Sequence, residues 1–246
     1  MEKKLFDLVN ERSPSVFQIG KLINDGVDVN CRNNQGMTPL LQLLFNSASK
    51  QNVQEIVRLF VENGVDVNAK NKNNGSNALH CLLTFYDGSD FIAVVRLLIE
   101  NGADVNAKDN NGRNAFHLLC TNYMGTNLID ALRLLIENGM DVNAKTNNGS
   151  STLHCLCSFP VITNLFGIVR LLLDSGIDVN AINSRGFTAL HYLCDTYSGH
   201  DLLDIVRLLI DKGANVSVMD NNGKYARDYF RFYQGTNKNE IMNLLG

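Results

Sequence analysis

Apolar residues fall into short runs at helical spacing, and polar stretches rich in Asn and Gly separate the runs. Leu79, Leu82 and Leu83 lie at the intervals that place side chains on one face of a helix. A second kind of run, over residues 205–210, is apolar almost all round, which is typical of a helix packed on both sides. The pattern predicts pairs of short helices, which we call helix A and helix B in chain order.

The helix pairs recur at a nearly fixed interval. A glycine follows each helix B, at steps of 38 and then 37 residues. These glycines are Gly26, Gly64, Gly102, Gly139, Gly176 and Gly213. A period in this range is the signature of a solenoid of stacked repeats. We therefore expect an all-α fold of helix-turn-helix repeats, formed as a single domain over residues 1–246.

The two ends of the chain depart from the repeat and predict capping segments. Residues 1–25 are predicted to form an N-terminal cap of two helices, the second capped by Ser13 with Pro14 in its first turn. Five full repeats over residues 26–213 follow. Residues 214–246 are predicted to form a C-terminal capping repeat, and with a cap at each end we expect the solenoid to be complete.

Each repeat opens with an Asp-Val-Asn segment and an Asn/Gly-rich tip, followed by a capping residue. Asn-Gly favours positive φ, so the tip is predicted to form a tight turn that projects as a hairpin-like finger. Good N-cap residue types then stand at one position of every repeat and mark the start of helix A. This column is Thr38, Asn77, Asn114, Ser151 and Thr188.

The turn between helix A and helix B differs from repeat to repeat. Three repeats use Tyr-x-Gly there, beginning at Tyr86, Tyr123 and Tyr197. We expect the glycine to be the left-handed residue that ends helix A. A second capping column then marks the start of helix B. It consists of Asn52, Asp90, Asn127, Asn164 and Asp201.

These motifs resemble the ankyrin repeat, whose unit is a β-turn plus two antiparallel helices with a T-P-L-H-x-A motif. The matching stretches are Thr38-Pro39-Leu40, Asn77-Ala78-Leu79-His80, Asn114-Ala115-Phe116-His117, Ser151-Thr152-Leu153-His154 and Thr188-Ala189-Leu190-His191. About four additional residues stand between the helices, which implies either a longer turn or a longer helix A. The resemblance implies a non-catalytic adaptor, inhibitor or host-interacting protein. It would bind a partner protein on the concave surface of fingers and helices A.

Composition narrows the possible partners. The formal net charge is −3 and the isoelectric point is about 5.9, which argues against binding to a nucleic-acid backbone. No run of 18 apolar residues is present, so we expect no membrane span. The cysteine spacing follows the repeat, which favours reduced thiols in the cytoplasm or the nucleus. We expect a monomer.

Two repeat columns could carry chemistry. His80, His117, His154 and His191 recur with the repeat, and Cys120, Cys157 and Cys194 each follow a histidine by three residues. One alternative is therefore a metal-binding protein or an enzyme that uses these columns. Leu44 and Leu83 occupy the cysteine column in the first two repeats, however, so we interpret it as core. We predict no catalytic residue, metal or cofactor, and expect Cys31, Cys81 and Cys155 to be more exposed.

Candidate binding residues are those that differ between repeats. They follow the finger glycine, lie at the finger tip, or form an aromatic row near the end of helix A. The set is Met37, Phe45, Ser76, Phe85, Tyr86, Arg113, Tyr123, Met124, Ser150, Phe159, Arg185, Phe187 and Tyr197. Tyr and Phe often dominate binding surfaces. The alternative is that the aromatic row packs between neighbouring inserted turns. A consensus-like solenoid with no dedicated partner is also consistent with such similar repeats.

The last residue of the Asp-Val-Asn segments is a further candidate. Asn68, Asn106, Asn143 and Asn180 are expected to fix the finger through local hydrogen bonds. In animal ankyrin proteins, asparagines at this position can be hydroxylated by an oxygen-dependent enzyme. The resemblance therefore implies possible hydroxylation of these four residues.

Overall fold

The computed structural model describes residues 1–48, 50–122, 127–159, 164–197, 199–230 and 235–246. The chain divides into two compact units, the N-terminal unit Met1–Met140 and the C-terminal unit Asp141–Gly246. Throughout the described ranges the named elements are helical, and an isolated antiparallel bridge joins Met219 to Tyr225. The predicted all-α fold of helix-turn-helix repeats is confirmed.

Eight helices make up the described part of the N-terminal unit. They are α1 Glu2–Asn10, α2 Val16–Asn24, α3 Pro39–Phe45, α4 Val53–Glu62, α5 Ala78–Phe85, α6 Phe91–Glu100, α7 Ala115–Asn122 and α8 Leu128–Glu137. Helices A (α3, α5, α7) pack on one another, and helices B (α4, α6, α8) form a second row. Phe60, Phe91 and Phe116 are fully buried in this unit.

The C-terminal unit repeats the arrangement. Its helices are α9 Thr152–Cys157, α10 Leu165–Asp174, α11 Ala189–Thr196, α12 Leu202–Asp211, a 3₁₀ helix over Ala226–Tyr229 and α13 Lys238–Leu244. Helix A of the fourth repeat (α9) packs on that of the fifth (α11), and α10 packs on α12. No helix in the described ranges is long and apolar enough to cross a membrane.

The predicted capping residues stand at the N-cap position of most helices, but in the helix B column the side chains of Asn52, Asp90 and Asp201 make no capping hydrogen bond. Thr38 accepts a hydrogen bond from the amide of Leu41 at 3.3 Å, and Asn77 accepts one from the amide of His80 at 3.1 Å. The prediction for the second cap helix is wrong by two residues. Ser15, and not Ser13, caps α2, by accepting from the amide of Gln18 at 3.3 Å.

Finger tips are tight turns that bond to their neighbours. In the N-terminal unit Gly112 has a φ of 74°, and the amide of Asn110 donates to the carbonyl of Asn74 in the preceding finger at 2.9 Å. In the C-terminal unit the amide of Ser184 makes the same bond to the carbonyl of Asn148 at 2.9 Å. Backbone bonds between consecutive fingers therefore fix their spacing within each unit.

The Tyr-x-Gly turn works differently from the sequence prediction. Neither Gly88 nor Gly199 has a positive φ, so the expected left-handed conformation is wrong. A Cβ on Gly199 would lie 2.6 Å from Cε1 of Tyr197, and a Cβ on Gly88 would overlap the ring of Tyr86. Glycine is needed because the tyrosine ring folds back over it.

The additional residues lie in the turn, at least in the second repeat. There α5 ends at Phe85 and α6 begins at Phe91. In the first and fourth repeats, which lack Tyr-x-Gly, the helix B cap is a left-handed asparagine. Asn52 has a φ of 59° and Asn164 a φ of 58°. The longer turn is therefore completed by a tyrosine ring packed over glycine in some repeats and by a left-handed asparagine in others.

Candidate functional site

In the second, fourth and fifth repeats the histidine links helix A to the next finger. In His154, Nδ1 accepts from the hydroxyl of Ser151 at 2.7 Å, and Nε2 donates to the carbonyl of Phe187 at 2.8 Å. His191 makes the equivalent bonds to Thr188 at 2.9 Å and to the carbonyl of Lys224 at 3.2 Å. One ring nitrogen accepts and the other donates, so these rings are neutral.

Burial reinforces that protonation state. Burial lowers the pKa of His80, His154 and His191 below the usual value, and hydrogen bonds to the carbonyls of the next finger only partly oppose it. With both nitrogens used, His154 and His191 have no lone pair for a metal or a substrate. These two histidines hold the scaffold together.

The cysteine column belongs to the core. Cys120, Cys157 and Cys194 are at most 4% exposed, and burial raises the pKa of the Cys194 thiol to about 12. The prediction that Cys31 and Cys81 are more exposed is wrong, since they are only 7% and 2% exposed. A thiol with a raised pKa is a poor nucleophile. Among the described residues, no group of three His, Cys, Asp or Glu side chains could hold a metal ion.

The asparagine column bridges consecutive repeats. Nδ2 of Asn68 donates to the carbonyl of Gly102 at 2.8 Å, and Oδ1 accepts from the amide of Asp104 at 2.8 Å. Asn106 donates to the carbonyl of Gly139, Asn143 to that of Gly176 and Asn180 to that of Gly213, at 2.9–3.0 Å. The expectation that these side chains fix their own finger through local hydrogen bonds is therefore wrong, because they bond to the next repeat. All four residues are exposed, and their hydroxylation stays a prediction.

The residue after each finger glycine is mostly buried. Met37, Ser76, Ser150 and Phe187 are 3–8% exposed. Their carbonyls close the finger by accepting from the amide at its base, as Met37 does from Asn33 at 3.0 Å. These four side chains consequently offer little surface to a partner.

Arg113 is the exception at this position in the N-terminal unit, because its side chain is 37% exposed. Its guanidinium pairs with the buried carboxylate of Asp109, Nε to Oδ2 at 2.9 Å. The pair holds the arginine against its own finger.

The aromatic row divides into a buried and an exposed part. Tyr86 and Tyr197 are 4% and 7% exposed and donate their hydroxyls to Asp90 and Asp201, which favours the packing alternative for both. Phe45 and Phe85 are 39% and 37% exposed, with ring centroids 4.7 Å apart. Phe159, in the C-terminal unit, is 37% exposed. Tyr123 and Met124 lie outside the described residues.

The C-terminal unit gathers the best-formed cluster at the junction of finger and helix A. The exposed guanidinium of Arg185 lies 4.4 Å from the ring centroid of Phe187 and 5.3 Å from that of Tyr192. Nη2 of Arg185 also donates to the hydroxyl of Tyr192 at 2.5 Å, and Nδ2 of Asn183 donates to the same oxygen at 3.1 Å. The arginine is thus held against two aromatic rings.

The next finger continues this cluster. The ring centroid of Tyr229 lies 5.1 Å from that of Phe187. Nζ of Lys224 lies 5.5 Å from the ring centroid of Tyr229. Tyr229 donates to Asp220 at 2.5 Å. Burial opposes the charge on Asp220, but its hydrogen bonds outweigh that effect, so its pKa is well below the usual value. Asp220 is therefore ionised and fixes Tyr229 in place.

Tyr192 is a half-buried residue that the sequence pattern did not single out. It directly follows His191, and the same position holds Gln42, Cys81, Leu118 and Cys155 in the other repeats. Oε1 of Gln42 accepts from Asn33 at 3.0 Å, which is the same finger-to-helix contact as Asn183 to Tyr192. The change of residue type from repeat to repeat, next to a fixed histidine, was the signal in the sequence.

Comparison with known proteins gives the same architecture. A family model described as ankyrin repeats (three copies) matches residues 15–109, 44–146, 86–182 and 123–220. Among solved structures, the chain is similar to the ankyrin repeat domain of Bcl-3, described as a unique member of the IkappaB protein family. The two are 24% identical with a TM-score of 0.72, over 98% of this chain and 96% of that chain. At that identity the likeness shows the fold alone. No curated protein matches the sequence.

Proposed function

The chain belongs to the ankyrin-repeat family, and from that membership we propose that it is an adaptor or inhibitor that binds a partner protein through its fingers and helices A. Ankyrin repeats are protein–protein interaction modules and are generally not catalytic. The thiols are buried, and His154 and His191 are neutral with both ring nitrogens hydrogen-bonded, which supports the same assignment. The competing metal-binding function lacks, in the described ranges, a group of three His, Cys, Asp or Glu side chains that could hold the ion.

The cluster of Arg185, Phe187 and Tyr192 carries the proposal. Arginine and tyrosine are enriched among residues that dominate the affinity of interfaces. Arg185 is exposed, yet contacts with Phe187, Tyr192 and its own finger restrict its rotamers. A side chain that is ordered before binding loses less entropy when a partner docks.

Affinity capture from a cell extract, with quantitative mass spectrometry, tests the proposal. The bait carries Arg185→Ala together with Tyr192→Ala, and the matched control carries Arg170→Ala on the exposed face of α10 in the same unit. We expect a partner that the wild-type chain and the control both enrich and that the double variant loses. Equal enrichment by all three baits would remove this cluster as the binding site. Enrichment of no protein would favour a solenoid with no dedicated partner.

We propose further that the chain is a monomer that acts in the cytoplasm or the nucleus, as one domain with a cap at each end. Cys31, Cys81, Cys157 and Cys194 are buried free thiols, which supports a reducing compartment. The acidic isoelectric point of about 5.9 supports a protein partner over nucleic acid. Light scattering of the purified chain and fractionation of expressing cells test these points.

Hydroxylation of Asn68, Asn106, Asn143 and Asn180 belongs to the same proposal. Their exposure supports it, whereas their bonds to the next repeat require that the segment first open locally. Mass spectrometry after co-expression with an asparagine hydroxylase would detect the mass of one added oxygen on the modified peptides. If none of the four asparagines carries the added mass, the assignment is refuted.

A further inference from the structure

Charge is distributed unevenly in the N-terminal unit. Its finger segments are residues 31–37, 69–76 and 107–113, and they carry five basic residues but one acidic residue, Asp109. The basic residues are Arg32, Lys70, Lys72, Lys108 and Arg113. The chain as a whole has a formal net charge of −3, so the net positive charge of these finger segments is opposite in sign to that of the whole chain. The fingers therefore form a basic surface on an acidic protein.

The acidic residue does not neutralise the basic surface as a whole. Asp109 is buried and pairs with Arg113, Oδ2 to Nη2 at 2.8 Å. Arg32, Lys70 and Lys72 are exposed, and within the described ranges none of them forms an ion pair with a carboxylate. Glu2 lines a recess next to Arg32 without pairing with it there. Three cations thus keep their charge available for a ligand.

Contacts between fingers hold these three cations in a row, which we call the basic finger row (Arg32, Lys70 and Lys72). Nη1 of Arg32 donates to the carbonyl of Lys70 at 3.0 Å, and Nζ of Lys70 donates to the carbonyl of Lys108 at 3.1 Å. The stem of Lys72 covers Gly36, where an added Cβ would lie 2.8 Å from Cγ and Cδ of the lysine. Arg32, Lys70 and Lys72 are therefore each anchored on a neighbouring finger.

We propose that the basic finger row binds an extended acidic segment of a partner protein, with a carboxylate at about every third residue. Packed helices lie about 8–10 Å apart, so successive fingers have about that spacing. An extended chain advances about 3.3–3.6 Å per residue, so three residues span one finger step. This inference rests on the proposed function and names the chemistry of the partner.

Nucleic acid fits the same row less well. Single strands are bound by basic grooves that also offer aromatic side chains for stacking, and the three finger segments contain no Phe, Tyr or Trp. A duplex presents one phosphate per about 1.7 Å and is bound by far more cations than this row provides. The widely spaced, ordered cations instead match an extended peptide whose carboxylates are also widely spaced.

Fluorescence anisotropy with the full chain tests the proposal. The probe is a labelled Gly/Ser peptide with Glu at every third residue, and it is compared with an isomer whose glutamates are contiguous and with a Gln analogue. The triple variant Arg32→Gln, Lys70→Gln, Lys72→Gln is compared with Arg58→Gln, Arg96→Gln, Arg133→Gln. The second triple variant removes the same charge from exposed positions on helices B of the same unit.

We expect the finger variant to lose about tenfold in affinity for the spaced peptide, and the helix B variant to bind like wild type. The spaced peptide should bind more tightly than its contiguous isomer, and the Gln analogue should not bind. Equal losses in the two triple variants, no preference for the spaced peptide, or tighter binding of an oligothymidine would overturn the inference. If it fails while capture through Arg185 and Tyr192 succeeds, the proposed function stands without it.

Discussion

The hydroxyl of Tyr197 donates a hydrogen bond to the carboxylate of Asp201 at 2.6 Å, across the turn that joins α11 to α12. Tyr86 and Asp90 make the same contact between α5 and α6. In both turns the ring lies over the glycine two residues after the tyrosine. A Tyr-x-Gly-x-Asp segment therefore closes the longer turn of these repeats, with the tyrosine in the core and its hydroxyl on the helix B cap.

Tyr197→Phe should reduce the free energy of unfolding by about 1.5 kcal/mol. A hydrogen bond to a charged group contributes about 1.5–3 kcal/mol, and the lower end applies because Asp201 is partly exposed. Urea denaturation of this variant, of Asp201→Asn and of the double variant measures the coupling. If the two single losses simply add, the hydroxyl and the carboxylate do not act together.

Gly88→Ala and Gly20→Ala should have opposite effects on stability. An added Cβ at Gly88 overlaps the ring of Tyr86, which should cost about 1–3 kcal/mol through overpacking. At Gly20, in the middle of α2, the nearest atom to an added Cβ is Cδ2 of Leu59 at 3.7 Å, an ordinary contact. Alanine there should therefore stabilise the helix by about 0.5–1 kcal/mol. Thermal unfolding of both variants checks the pair, and a stable Gly88→Ala protein would contradict the account of the turn.

The chain should lose stability as the pH falls below about 6.5. In the unfolded chain the histidines titrate near the usual value of 6.5, whereas burial lowers the pKa of His80, His154 and His191 in the folded chain. Between the two values the unfolded state binds more protons, so stability is full above this window and falls with pH inside it. Urea denaturation at pH values between about 8 and about 5 measures how the free energy of unfolding depends on pH.

A matched pair of variants assigns that slope. His154→Gln removes one buried histidine, so it should flatten the dependence on pH although it lowers stability overall. His200→Gln removes an exposed histidine and serves as the matched control. Equal slopes in wild type and in both variants would mean that the buried column does not control the acid response.

Lys50→Met should destabilise the start of the chain. Nζ of Lys50 donates to the carbonyl of Val9 at 2.8 Å and to that of Glu11 at 2.7 Å, and the residue is 8% exposed. Burial lowers the pKa of this lysine. Methionine keeps the stem but leaves both carbonyls without this donor, and because that of Val9 is buried the change should cost about 1–3 kcal/mol. Hydrogen exchange of the α1 amides provides the readout, with the exposed Lys21→Met as control; equal protection in both variants would exclude this role.

Much of this architecture followed from the sequence alone, because local physical chemistry fixes it. The period of the glycines, the capping columns and the helical spacing of Leu79, Leu82 and Leu83 predict helix pairs without knowledge of any distant contact. The interpretation of the cysteine column as core also held, because leucine replaces cysteine there in two repeats. Because each local pattern occurs in several repeats, every copy supports the same prediction of secondary structure.

The candidate site depended on contacts between residues far apart in the sequence. Nothing local shows that Asn68 bonds to the next repeat, that Tyr197 turns inward over Gly199, or that Phe187 is buried while Arg185 rests on its ring. Burial and ring contacts depend on which side chains meet when helices and fingers pack, and a repeat pattern does not specify that packing. The sequence by itself therefore determined the helix-turn-helix scaffold, and only the tertiary structure decided which of its variable residues reach the surface.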